Sequence, residues 1–278
     1  MSAIQKRNAE LVDILRPDFQ ARYEPNFAMG NAVALFQSIP GLRYFWPMST
    51  MHGAGIAPSY PEDLSGGGRD LTNIGPCLFG YDDLAPYVLA DGINDYLTRA
   101  DEIGLDVTGT EGYVQPAYRG LTYGGWFKIA DALPIGFFSA IMSKYDTTIN
   151  QKSYQMYINA ATSVVTGRIS RDGTGGTVNT IVSTYTLTQN QWHFIIMRFD
   201  PSTELAIMVD GSQNKDSLVA GVQASIFNST TQLDIFAYNN GTAGYLNAYG
   251  SLCFISGMFL SDSIIDVLYQ QTRALFGV

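Results

Sequence analysis

From residue 42 onward, apolar and polar positions change in short runs rather than at helical spacing, and turn-forming clusters separate the runs. Strands are predicted over Tyr44–Met48, Leu121–Ile129, Ser153–Asn159, Thr180–Leu187, Trp192–Phe199, Leu205–Val209, Gln232–Ala237 and Ser251–Phe259. Alternation is clearest in Trp192–Asp200 (WHFIIMRFD) and in Glu204–Gly211 (ELAIMVDG). One face of each should be buried, while the other meets solvent or a second sheet. Asp210 and Gly211 tolerate positive φ and so predict a tight two-residue hairpin turn. Strand runs about every 10 to 15 residues, with no helices between them, predict an all-β protein: a two-sheet antiparallel jelly-roll sandwich.

The two ends read differently. From Ser2 to about Leu15 the positions Ile4, Leu11, Ile14 and Leu15 follow helical spacing, and Pro17 closes the run. A second helical pattern holds Phe27, Ala32, Val33, Leu35 and Phe36, and ends at Pro40 and Gly41. The first helix is too short and too narrowly amphipathic to stand alone. This short helical segment therefore either caps its own domain or anchors an assembly. The expected division is 1–40, a helical anchor or assembly segment, and 41–278, the sandwich. At the other end, Ser261 is placed as the N-cap of a helix whose stripe is Ile264, Ile265, Leu268 and Tyr269, lying against the sandwich.

Composition narrows the function classes. The 278 residues carry 16 basic and 25 acidic side chains, a net charge of −9, with only 15% charged residues in all. An acidic chain without a basic cluster lacks the surface that neutralises phosphates, which argues against nucleic acid. No apolar run approaches the roughly 20 residues of a membrane-spanning helix, so no membrane insertion is expected. Residues 1–8 are charged with no apolar stretch behind them, unlike a secretory signal, so synthesis in a reducing cytoplasm is expected. Cys77 and Cys253 both sit in apolar runs and read as small buried thiols, not as a bridge.

Six fragments, in order, resemble the laminin-G-like, concanavalin A-like jelly rolls found in bacterial and phage proteins. They are Leu42–Met48 (LRYFWPM), Asp63–Asn73 (DLSGGGRDLTN), Ala90–Leu97 (ADGINDYL), Tyr123–Phe127 (YGGWF), Gln191–Phe194 (QWHF) with Ile207–Gly211 (IMVDG), and Gly257–Ile265 (GMFLSDSII). The three tryptophans, Trp46, Trp126 and Trp192, fall at matching places. Read physically, Trp and Tyr fill the space between two sheets while their polar edges reach backbone carbonyls.

Related sandwiches include glycosidases, and retaining hydrolysis needs two carboxyl groups about 5 Å apart. No acidic cluster with strand spacing exists; the Asp101-Glu102 and Glu62-Asp63 pairs are expected in loops as solvated carboxylates. His193 reads as a packed imidazole, His52 receives no role, and Gly66-Gly67-Gly68-Arg69 reads as a turn, not a phosphate cradle. No enzymatic activity and no cofactor are expected. Calcium is the one ion the loops Asp63–Asp70 and Asp91–Asp95 could take, and the resemblance lends weight to Asp63. Tyr238, Asn239 and Tyr245 are the candidate glycan contacts.

Taken together, these features are similar to non-enzymatic surface proteins of a tailed-phage virion, either capsid decoration or tail fibre. The expected location is the virion, after synthesis in the host cytoplasm. The expected partners are sister subunits in a homotrimer, other virion proteins and host glycans, with Leu11, Leu15, Leu35 and Phe36 as assembly anchors. The rival expectation is a carbohydrate-binding adhesin module or a glycosidase-related domain of bacterial origin.

Overall fold

The computed structural model describes residues 28–48, 61–82, 84–106, 120–130, 138–159 and 161–278. The first expected helix, with Leu11 and Leu15, and His52 lie outside the described residues. In chain order the strands are β1 (Leu42–Trp46), β2 (Thr72–Ile74), β3 (Leu78–Asp82), β4 (Ala85–Asp91), β5 (Tyr96–Arg99), β6 (Leu121–Ile129), β7 (Phe138–Asp146) and β8 (Gln151–Asn159). They continue with β9 (Val164–Gly173), β10 (Val178–Thr186), β11 (Trp192–Asp200), β12 (Glu204–Val209), β13 (Lys215–Leu218), β14 (Leu233–Ile235) and β15 (Asn247–Ser256). Helix α1 covers 28–37 and α2 covers Asp262–Thr272.

The described strands form two antiparallel sheets, of eight and seven strands, as the alternation predicts. The larger runs β13-β12-β11-β6-β15-β4-β3, with β1 also on β15; the smaller runs β10-β9-β8-β7-β14-β5-β2. Strand β6 lies between β11 and β15, and its Gly124 allows close backbone approach there. At φ 149° that residue comes so near β11 that a Cβ would stand 2.0 Å from the Ile195 carbonyl oxygen.

Both faces of the larger sheet are apolar. Tyr44, Trp46, Tyr123, Phe127, Ile195, Met197, Phe199 and Ile207 pack between the sheets. The alternate positions Phe45, Trp126, Trp192, Phe194, Ile196 and Phe254 belong to a second core, roofed by Phe36 of α1 and by Ile265, Leu268 and Phe276 at the C-terminal end. Two of the three tryptophans therefore sit under the helical roof and not between the sheets. A run as apolar as WHFIIM is buried on both faces. Only Trp46 sends its indole N–H to a backbone carbonyl, that of Arg69 at 2.9 Å. Trp126 donates to Thr272 Oγ1 at 3.0 Å and Trp192 to Asp82 Oδ2 at 2.9 Å.

Helix α1 takes the cap arrangement. Phe36 is fully buried within its own chain, its ring stacked on Phe45 at 5.1 Å and edge-on to Phe254 at 5.4 Å. That ring faces inward, not towards a partner. Leu35 is half-buried and lines an apolar groove with Ile39, Pro40, Ile264 and Val267. Helix α2 starts as predicted, with Ser261 accepting from the Ile264 N–H. Cys77 and Cys253 are free and buried; burial raises both thiols, Cys77 to about 12 with help from Asp95 and Asp91.

Candidate functional site

The expected two-residue turn at Asp210-Gly211 is a longer device. The chain leaves β12 through Asp210 (φ 57°) and Gly211 (φ 98°), then makes a 3-10 turn over Ser212–Asn214 before β13. Two carboxylates hold it. Asp210 Oδ1 accepts from the Phe194 N–H at 2.8 Å, while its Oδ2 meets His193 Nδ1 at 2.8 Å. Asp266 of α2 accepts from the Ser212 N–H and hydroxyl, both at 2.6 Å.

His193 is buried, as expected, and its role follows from its partners. Its Nε2 accepts the Thr188 backbone N–H at 3.0 Å; a backbone amide only donates, so Nδ1 carries the proton and donates to Asp210. With Nε2 occupied by an amide, the imidazole has no free nitrogen to act as a base. The pair positions the turn.

Between this turn, α2 and the ends of β10 and β11 opens a cleft of about 630 Å³, a size suited to a small ligand. Tyr185 and Tyr269 contribute rings; Gln191, Gln213, Asn214 and Gln270 contribute amides; Arg273 contributes a guanidinium. Burial, and then Asp210, raises the phenols of Tyr185 and Tyr269, so both stay neutral donors. Arg273 donates from Nε to the Val278 carbonyl at 2.8 Å and lies over the Tyr269 ring. The cleft's two carboxylates, Asp210 and Asp266, each have both oxygens engaged by donors of the fold. The four amides have no hydrogen-bonding partner for their side chains among the described residues. None of the cleft residues was singled out as a ligand contact from sequence, because the site joins segments far apart in the chain.

The expected glycan contacts lie elsewhere, in the loop 238–245 after β14. Asn239 Oδ1 accepts from Thr147 N–H (2.8 Å) and hydroxyl (3.1 Å), and the residue is 9% exposed. Asn240 donates to Asp146 Oδ2 at 2.9 Å and its Oδ1 accepts from Thr231. The Tyr245 hydroxyl donates to the Gly241 carbonyl at 2.6 Å, and the Tyr238 N–H donates to the Ala243 carbonyl at 2.9 Å. The structure does bring Tyr238, Asn239 and Tyr245 together, with the two tyrosines half-buried, but the loop's polar side chains are engaged by Thr147, Asp146, Thr231 and the loop's own backbone.

Asp63 sits at the centre of its own loop. Its Oδ1 accepts from the N–H groups of Phe45 (3.1 Å) and Ser65 (2.9 Å); its Oδ2 accepts from the Ser65 hydroxyl (2.8 Å) and the Arg69 N–H (3.1 Å). Four donors make this carboxylate the organiser of the predicted 66–69 turn, with two donors on each oxygen. Asp91 likewise accepts from the N–H groups of Ile93 and Asn94. Among the described residues, no three His, Cys, Asp or Glu side chains gather to hold an ion. Nor is the Asp101-Glu102 pair simply solvated. Asp101 Oδ1 takes the fully buried Lys144 ammonium at 2.7 Å, and Glu102 binds Arg99 and accepts the Tyr44 hydroxyl at 2.9 Å.

A family model described as the concanavalin A-like lectin/glucanases superfamily matches residues 106–249. Among solved structures, the binding domain of Paraclostridial mosquitocidal protein 1 is similar at 13% identity and a TM-score of 0.61, covering 84% of this chain and 52% of that one. The binding domain of botulinum neurotoxin serotype G gives 16% identity and a TM-score of 0.62, covering 82% and 50%. The serotype D ligand binding domain, solved with N-acetylneuraminic acid, gives 12% and 0.59, covering 86% and 52%. At these identities the likeness is one of fold, and the chain spans about half the length of each structure. Among curated proteins, none matches by sequence. No helix among the described residues is long and apolar enough to cross a membrane.

Proposed function

The chain belongs to the concanavalin A-like lectin/glucanase superfamily, and on that premise we propose that it is a non-enzymatic contact module holding a glycan in the cleft beside α2. One observation carries this reading. Two tyrosine rings and four unpartnered amides converge on one cleft, while both of its carboxylates are already engaged. Rings supply flat apolar area, and amides both donate and accept, which matches the alternating C–H faces and hydroxyls of a sugar. General acid catalysis, by contrast, needs a carboxyl free to reach the leaving oxygen. A glycan array probed with the full chain tests the proposal. Binding that falls in a Gln213→Ala/Gln270→Ala variant supports it, and sugar release lost on substituting one carboxylate would instead make the protein a glycosidase.

The setting we propose is the surface of a tailed-phage particle, as capsid decoration or tail fibre, with host glycans as the ligand. The order of the six motifs supports it. A bacterial adhesin is the alternative setting for the same module. In the phage reading, 1–40 contributes to a homotrimer through Leu11, Leu15 and the groove at Leu35, with Phe36 holding α1 in place. Mass-resolved oligomeric state and a search for the chain in purified particles test these two points. A monomer absent from particles overturns the phage setting.

A further inference from the structure

We infer that the cleft discriminates by charge, taking neutral saccharides and rejecting those that carry a carboxylate. This rests on the glycan reading of the same cleft and adds the class of sugar.

The cleft's negative charge and most of its unused hydrogen-bonding capacity lie on different groups. Asp210 and Asp266 carry formal negative charge, and the donors that hold them in place leave that charge uncancelled: backbone N–H groups, the Ser212 hydroxyl and a neutral imidazole. Against them stands one cation, Arg273, already bonded to the Val278 carbonyl and lying over Tyr269. Two carboxylates facing one guanidinium give the cleft a negative balance, inside a chain whose net charge is −9. A carboxylate-bearing sugar entering here meets repulsion at contact range and at long range. The groups still able to bond a ligand are the uncharged amides of Gln191, Gln213, Asn214 and Gln270, the Tyr269 hydroxyl, and the terminal N–H groups of Arg273, whose Nε alone is bonded. A neutral hydroxylated ring can use all of them at no electrostatic cost. The serotype D ligand binding domain was solved with N-acetylneuraminic acid, a carboxylate-bearing sugar of the class this cleft should reject.

The test uses the full chain and matched pairs of oligosaccharides, each with a neutral member and a member ending in sialic or glucuronic acid, measured at about 0.15 M and about 1 M salt. The neutral members should bind about tenfold more tightly at the lower salt, as one uncompensated unit charge in a half-solvated site implies. High salt should shrink the gap. Asp266→Asn should narrow it and Arg273→Gln should widen it, so either variant carries the test if the other fails to fold. Equal or tighter binding of the acidic members at low salt overturns the inference while leaving the glycan reading intact. A gap that salt does not change means that shape, not charge, does the sorting, and also overturns it. If no saccharide of either class binds, the glycan reading itself fails.

Discussion

Two regions of this molecule carry the same residue types and use them in opposite ways. The loop 238–245 and the cleft beside α2 both gather tyrosines and side-chain amides. In the loop, Asn239 holds Thr147, Asn240 bridges Asp146 and Thr231, and Tyr245 caps the Gly241 carbonyl. In the cleft, the amides of Gln191, Gln213, Asn214 and Gln270 bond nothing in the described chain. A rich polar composition therefore does not mark a ligand site. What marks it is hydrogen-bonding capacity that the fold leaves unused, in a concavity that the fold keeps open.

The contrast can be broken at the loop first. Asp234 accepts from the Gly241 N–H and from Gln232, and burial raises its carboxyl from 3.8 to about 6. Between those values the native state binds more protons than the unfolded chain, so stability is greatest below about 4 and falls as the pH rises through 6. The loss by neutral pH should be about 3 kcal/mol. It shows as the difference between urea-unfolding pH profiles of the wild type and Asp234→Asn, which should lack this component. Next in size, Asn239→Ala leaves the Thr147 N–H without its acceptor and should cost about 1 to 2 kcal/mol in the same assay, with glycan binding unchanged. The cleft should behave in the reverse way. Gln213→Ala/Gln270→Ala should leave stability within about 0.5 kcal/mol and weaken binding about tenfold, measured by calorimetry.

Legibility from sequence followed the locality of the signal. Strand β6 was predicted to the residue over Leu121–Ile129, and the cap of α2 at Ser261, because alternation and capping are written in neighbouring residues. The second core was not read. The alternation at Trp192–Asp200 predicts one buried face and a second that meets solvent or another sheet, whereas Trp192, Phe194 and Ile196 pack under a helical roof while Ile195 and Met197 pack between the sheets. Strands β2 to β5, β7, β9 and β13 are absent from the predicted runs; β7 and β9 mix in residues that weaken the pattern, such as Lys144 and Gly167. The cleft was the least legible part. Tyr185, the 210–214 turn and α2 meet through contacts far apart in sequence, such as that of Asp266 with Ser212, which spans 54 positions. Asp63 was noticed as an acid, but its four donors appear only in three dimensions.

The most direct measurement is a saccharide titration followed through the side-chain amide resonances of asparagine and glutamine. Signals of Gln191, Gln213, Asn214 and Gln270 should move together and saturate with the ligand, while those of Asn239 and Asn240 stay still. Shifts confined to Asn239 and Asn240, with the four cleft amides unmoved, would contradict the assignment of the site.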